Sequence, residues 1–141
     1  MKNIVLISSK IYVGFSILSL VYVSFLSMGN PQSTMDLVNV NLPNNDSISS
    51  IRGIYGGSGL AIVISLCYLY FKNMGYAIKF LVLFWGFYAV SRLITIIVDG
   101  PLGDFGNQWI VIETSLFSLG LVLILMSLRN KKGIDSTDSR I

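Results

Sequence analysis

Apolar positions in this chain come as four long blocks, roughly 4–28, 51–71, 77–98 and 109–128, separated by short polar stretches. Each block is about 20 residues or more, and at about 1.5 Å of rise per residue a helix of that length crosses a hydrocarbon layer about 30 Å thick. None shows the period-two alternation of a barrel strand. Backbone groups in hydrocarbon must bond within their own segment, so the blocks are predicted to be helices. The predicted fold is all-α, an integral membrane four-helix bundle over residues 1–128, with a loop at 29–50 and a polar tail at 129–141. The first block resembles a signal peptide in following Lys2 and ending near Ser27 and Gly29. It exceeds the roughly 7–15 residues of a signal core and contains Lys10, so a retained helix is predicted.

The polar stretches set the connections. The loop "NPQSTMDLVNVNLPNNDSISS" is rich in turn formers, and its short alternating run from Leu37 to Leu42 reads as a connector rather than a strand. Asp46, Ser47 or Ser49 is expected to cap the second helix. Asn45 to Ser47 is an N-x-S triplet, which matters only in a host that glycosylates. The connection from Lys72 to Gly75 is short enough to make helices two and three antiparallel neighbours. The turn "DGPLGDFG", with three glycines and a proline, reverses the chain between helices three and four. The final "RNKKGIDSTDSRI" has no apolar periodicity and is expected to be disordered.

Composition agrees with a membrane protein. Hydrophobic residues make up 53% and charged residues 12%, against about 25% charged in ordinary soluble domains, and the mean hydropathy is +0.72. The net charge of +3 is informative through its placement. Lys2, Lys72, Lys79, Arg129, Lys131, Lys132 and Arg140 flank alternate ends of the helices, and Lys10 can extend toward the same side. Residues 29–50 and 99–108 contain no Lys or Arg. The positive-inside rule then predicts a multi-pass membrane protein with both termini cytoplasmic. The basic balance reports orientation and not a nucleic-acid face.

There is no histidine, which removes histidine acid/base catalysis, histidine-ligated zinc and histidine-ligated haem together. No cofactor or metal is expected. Cys67 is the only cysteine, so no internal disulfide forms, and its apolar helix suggests a buried small hydrophobe.

Charged residues inside the blocks are the candidate chemistry. Arg92 and Asp99 are seven apart and lie within about 20° of one line on a helix. Extending that line collects Trp85, Tyr88, Arg92, Thr95 and Asp99, a stripe suited to protein or a wet cavity rather than lipid. Glu113 is about 6 Å in from Trp109 and Arg92 about 9 Å in from Val98, by the rise per residue, and Arg52 lies just inside the start of helix two. Two arginines and two carboxylates are thus placed in one layer near the outer face. A charge at the bilayer centre costs about 2.5–3.5 kcal/mol, less near the interface, and pairing reduces that cost. The expected pairs are Arg92 with Glu113, and Arg52 with Asp99 or Glu113. Such a layer either fixes helix register or forms an outer-leaflet pocket in which Arg52 and Arg92, with Tyr55, Tyr88 and Trp85 below them, receive a polar or anionic head.

Helix two opens "RGIYGGSGLAIVIS", in which Gly53, Gly57, Ala61 and Ser65 recur every four residues, widened by Gly56 and Gly59. Small residues at that spacing let helices approach closely in lipid. The stretch lacks the strand and the Gly-Lys-Ser/Thr end of a phosphate loop. Trp85 falls near mid-membrane, where core filling by "FWGFY" is the plain reading.

"SIRGIYGGSGLAI", then "SRLITIIVDGP", then Glu113 early in the last helix resemble the small bacterial membrane proteins of the domain of unknown function 4345 family, over about Asn39 to Leu128. The resemblance implies four membrane helices and a recurrent polar set of Arg52, Gly56, Gly57, Arg92, Asp99, Gly100 and Glu113. It supplies no activity. Four-helix multidrug transporters are similar in size but carry a glutamate in the first helix, where this chain has Lys10 and no acid. The reading is a non-enzymatic module that binds a lipid-like or amphipathic anionic ligand, or a membrane partner or second copy, through the charged pocket. The alternatives are an intramembrane enzyme acting on a lipid or isoprenoid head group, with Glu113 or Asp99 as acid/base, and a small-solute transporter, disfavoured by the lack of paired proline breaks.

Overall fold

The computed structural model describes the backbone of residues 2–138 and the side chains of residues 3–129. The side chains of Lys2, Lys131, Lys132 and Arg140, part of the orientation argument, lie outside those described. The elements in chain order are α1 (Lys2–Gly29), α2 (Pro31–Asp36), α3 (Asn45–Ile51), a π-helical turn (Arg52–Gly57), α4 (Ser58–Lys72), α5 (Met74–Val98) and α6 (Asp104–Asp138). The chain is all-α, and four stretches are long and apolar enough to span a membrane: Asn3–Gly29, Asn45–Lys72, Met74–Val98 and Asp104–Arg129. It divides into two compact units, one made of α1 up to Val13 with everything from Asn73 onward, the other of Gly14–Lys72.

In the first unit α5 and α6 form an antiparallel hairpin. The buried positions of α5 are Ala77, Ile78, Leu81, Val82, Trp85 and Ala89, at helical spacing. Leu83, Phe87, Val90, Leu93, Ile94 and Ile97 are exposed on its other flank. Apolar residues thus lie on both faces, as suits lipid, where burial of apolar surface drives nothing and close packing does. Two glycines of the hairpin make room for side chains opposite. A Cβ at Gly86 would lie 3.0 Å from the Phe117 ring, and one at Gly120 would lie 2.5 Å from Val82 Cγ2 and 2.8 Å from the Tyr12 hydroxyl.

In the second unit the C-terminal part of α1 packs on the π turn and α4. A Cβ at Gly56 would come within 3.1 Å of the Met28 backbone, and one at Gly59 would overlap the Ser24 hydroxyl. At Gly53 and Gly57 it would meet nothing within 4 Å, and Ala61 is exposed.

Several element limits differ from the sequence reading. The polar stretch 45–50 is helical and belongs to the second span, because Asn44 caps it: Ser47 N donates to Asn44 Oδ1 at 2.9 Å, and Asn44 N donates to Ser47 Oγ at 3.3 Å. The cap is therefore Asn44 and not Asp46, Ser47 or Ser49, and the reciprocal bonding of the Asn44–Ser47 box outweighs the stretch's polarity. Leu37 to Leu42, read from the sequence as a connector, is a turn and open chain without strand. Gln32 folds it over α2, donating to Asp36 Oδ1 and the Val40 carbonyl and accepting from Leu42 N. The last helix begins at Asp104 rather than Trp109 and runs to Asp138, through most of the stretch expected to be disordered. Extending an existing helix adds a hydrogen bond per residue without a nucleation cost, so lack of apolar periodicity does not stop it. Cys67 is half-buried rather than buried.

Candidate functional site

The site is built on the hairpin of α5 and α6. Asp99 N and Gly100 N both donate to the Thr95 carbonyl, at 2.8 and 3.1 Å, which ends α5. Gly100 has φ of 108°, a backbone conformation that glycine alone adopts at no cost. After Pro101, α6 starts with Asn107 N donating to the Gly103 carbonyl and Asn107 Nδ2 to the Leu102 carbonyl. This tight reversal brings the last turns of α5 beside the first turns of α6.

Across that seam Arg92 and Glu113 form a two-pronged ion pair. Arg92 Nε donates to Glu113 Oε2 at 2.6 Å and Nη2 donates to Oε1 at 2.8 Å. Parallel charge-assisted bonds of this kind fix the guanidinium plane as well as its position. The Glu113 side chain is 2% exposed and that of Arg92 19%. Both carboxylate oxygens are occupied, while the Nη1 nitrogen of Arg92 takes no part in the fork. The Phe105 ring lies beside the guanidinium with its centroid 5.9 Å from Cζ, and Trp109 follows one turn later, its ring 5.9 Å from that of Phe105. Neither aromatic was singled out as part of the site from the sequence. Their i, i+4 spacing ahead of Glu113 on one helix was the available signal.

The remaining members of the α5 stripe differ in exposure: Tyr88 is exposed although it lies next to buried Trp85. Trp85 is buried, with Tyr88 in ring contact at 6.4 Å. Thr95 is half-buried and its hydroxyl donates back to the Ser91 carbonyl, while Asp99 is exposed. Among the described residues of this unit, no hydrogen bond or ion pair engages the Asp99 carboxylate.

Arg52 and Tyr55 belong to the other unit, on the π turn, and both are half-buried. Arg52 Nε donates to the Met28 carbonyl at 3.0 Å, one of the carbonyls that the end of α1 leaves free. That bond gives Arg52 a structural role that its position in the sequence does not disclose.

The reading from sequence found no motif in α1, yet its buried polar positions are Ser9, Ser16, Ser24 and Ser27. Ser27 and Thr34 share a buried hydrogen bond of 2.7 Å that ties α2 to the end of α1. Serines recurring on one face among large apolar residues were the signal. Tyr12, on the same helix, is buried with a hydroxyl that has no hydrogen-bond partner among the described residues. Among the described residues no cluster of three or more potential metal ligands occurs.

No curated protein and no solved structure matches the chain. A family model does match, over residues 8–125, which is most of the sequence. With its four membrane-length helices the chain is a small multi-pass membrane protein, and it belongs to the domain of unknown function family DUF4345.

Proposed function

We propose that the protein is a non-catalytic membrane module that receives the polar head of a lipid-like or other amphipathic molecule at the charged layer around Arg92 and Glu113. The observation that carries this reading is the state of Arg92. Glu113 holds its guanidinium plane through two bonds, Nη1 stays outside the fork, and Phe105 lies against it. A donor oriented in advance loses little freedom when a phosphate or carboxylate oxygen arrives. The exposed Leu93, Ile94, Ile97 and Val98 give an apolar tail a surface to follow beside that head. In this reading the end of the spans that carries Arg92 lies at the outer leaflet of a bacterial inner membrane, with both termini cytoplasmic, and the distribution of Lys and Arg supports that orientation.

An enzyme acting on a lipid head group fits less well. Glu113, one of the two carboxylates considered as a base, has both oxygens held by Arg92 and would first have to leave a buried ion pair, while Asp99 is exposed at the turn.

The test is native mass spectrometry of the full chain released from mild detergent. One amphipathic molecule retained per chain, lost in Arg92→Lys while the circular dichroism of the helices is unchanged, is the expected result. A wild-type chain that retains nothing after incubation with membrane lipid would contradict the proposal.

A further inference from the structure

We propose that the molecule received at this layer has a zwitterionic head, with a phosphate-type anion on Arg92 and an ammonium group on Asp99. This rests on the module reading above and adds the ligand's chemical class.

The argument starts from charge. Glu113 cancels the charge of Arg92, and from Leu93 to Ile112 the chain contains Asp99 and Asp104 but no Lys or Arg. The rim of this unit at the turn is therefore net negative. A purely anionic head finds a hydrogen-bond donor at Arg92 Nη1 but meets an unfavourable field around it.

Asp99 is the residue that the fold does not explain. It caps the C-terminus of α5, where the helix dipole disfavours a negative side chain. Its backbone N–H serves the turn, but its carboxylate engages nothing among the described residues of its unit. Asp104 needs no such account, since it sits in the first turn of α6, where the dipole favours an acid. An ammonium group would make the placement of Asp99 favourable.

The geometry brings the two halves of such a head within reach of one another. Arg92 and Asp99 lie one heptad apart on the same stripe, about 10 Å along the axis by the rise per residue. The guanidinium leans toward the turn, reaching the ring of Phe105, which follows Asp104 in the chain. The Phe105 and Trp109 pair adds aromatic faces, of which indole is the best partner for a cation. Acyl chains would lie on the exposed Ile97 and Val98 flank, which commits the site to a lipid rather than a free solute.

The full chain, reconstituted with dioleoyl phosphatidylethanolamine and dioleoyl phosphatidylglycerol at equal mole fraction, is released and the retained lipid counted by native mass spectrometry. The ethanolamine lipid is expected to be retained at least about fivefold over the glycerol lipid, the scale of one charge at a membrane surface. Asp99→Asn, an exposed change that leaves the helices intact by circular dichroism, is expected to bring the ratio near one by lowering retention of the ethanolamine lipid. Retention with equal or greater glycerol lipid, or a preference unchanged in Asp99→Asn, overturns the zwitterion assignment and leaves the module reading standing. Displacement by soluble phosphoethanolamine at equal concentration overturns the choice of a lipid. Retention of neither lipid overturns both readings.

Discussion

Neutralising Glu113 while keeping its shape isolates the energy of the ion pair. In Glu113→Gln the amide oxygen can still accept one bond from Arg92, but the NH2 group faces the second donor, so one of the bonds at 2.6 and 2.8 Å is lost. A hydrogen bond to a charged group contributes about 1.5–3 kcal/mol. The larger effect is that Arg92 keeps its charge without a counterion, and breaking a buried pair from one side costs about 3–5 kcal/mol. Arg92 is 19% exposed and sits away from mid-span, which places the expected loss near the lower end, about 3 kcal/mol. Replacing both partners, Arg92→Gln with Glu113→Gln, removes the stranded charge, so the double variant is expected to lose less than the two single losses together. A coupling of about 2 kcal/mol is expected, measured by reversible unfolding in mixed micelles of dodecyl sulfate and a mild detergent followed by circular dichroism. The coupling should change little with added salt, since buried pairs are weakly screened. Additivity within about 0.5 kcal/mol would refute the reasoning.

Other expectations follow from packing. Gly120→Ala should destabilise by about 1–3 kcal/mol, because its Cβ would press on Val82 and Tyr12, and Gly59→Ala should do the same through Ser24. Gly57→Ala, which meets nothing within 4 Å, should be neutral or slightly stabilising in the same assay, and equal losses at Gly57 and Gly59 would contradict the packing described. Tyr12→Phe removes a buried hydroxyl without a partner among the described residues and should stabilise by about 1 kcal/mol. A loss of that size in the unfolding assay would show that the hydroxyl is bonded.

How much of this was legible in the sequence depends on the feature. The spans were readable because about 20 apolar residues in a row have few other fates. Arg92 and Glu113 could be placed at matching depth because the turn from Asp99 to Gly103 is short and both helices rise at a known rate. The role of Arg52 was not readable, since its partner is a backbone carbonyl at Met28, and any residue could supply that atom. The start of the second span was misjudged because Asn44 and Ser47 look like loop residues until their side chains are seen to bond each other's backbone. Helix one looked featureless because four of its seven buried side chains among the described residues are serines, and in lipid small polar residues can mark the inside as apolar ones do in water.

The central claim is that the charged layer receives a head group as well as joining α5 to α6. Exchanging the charges, Arg92→Glu with Glu113→Arg, tests it most directly, with unfolding and lipid retention measured on one preparation. The account predicts that the exchanged chain recovers most of the stability lost in either single variant and still fails to retain lipid, because the guanidinium then rises from α6 and Nη1 no longer faces the same place. Recovery of both stability and retention would contradict it and leave the pair a device of packing alone.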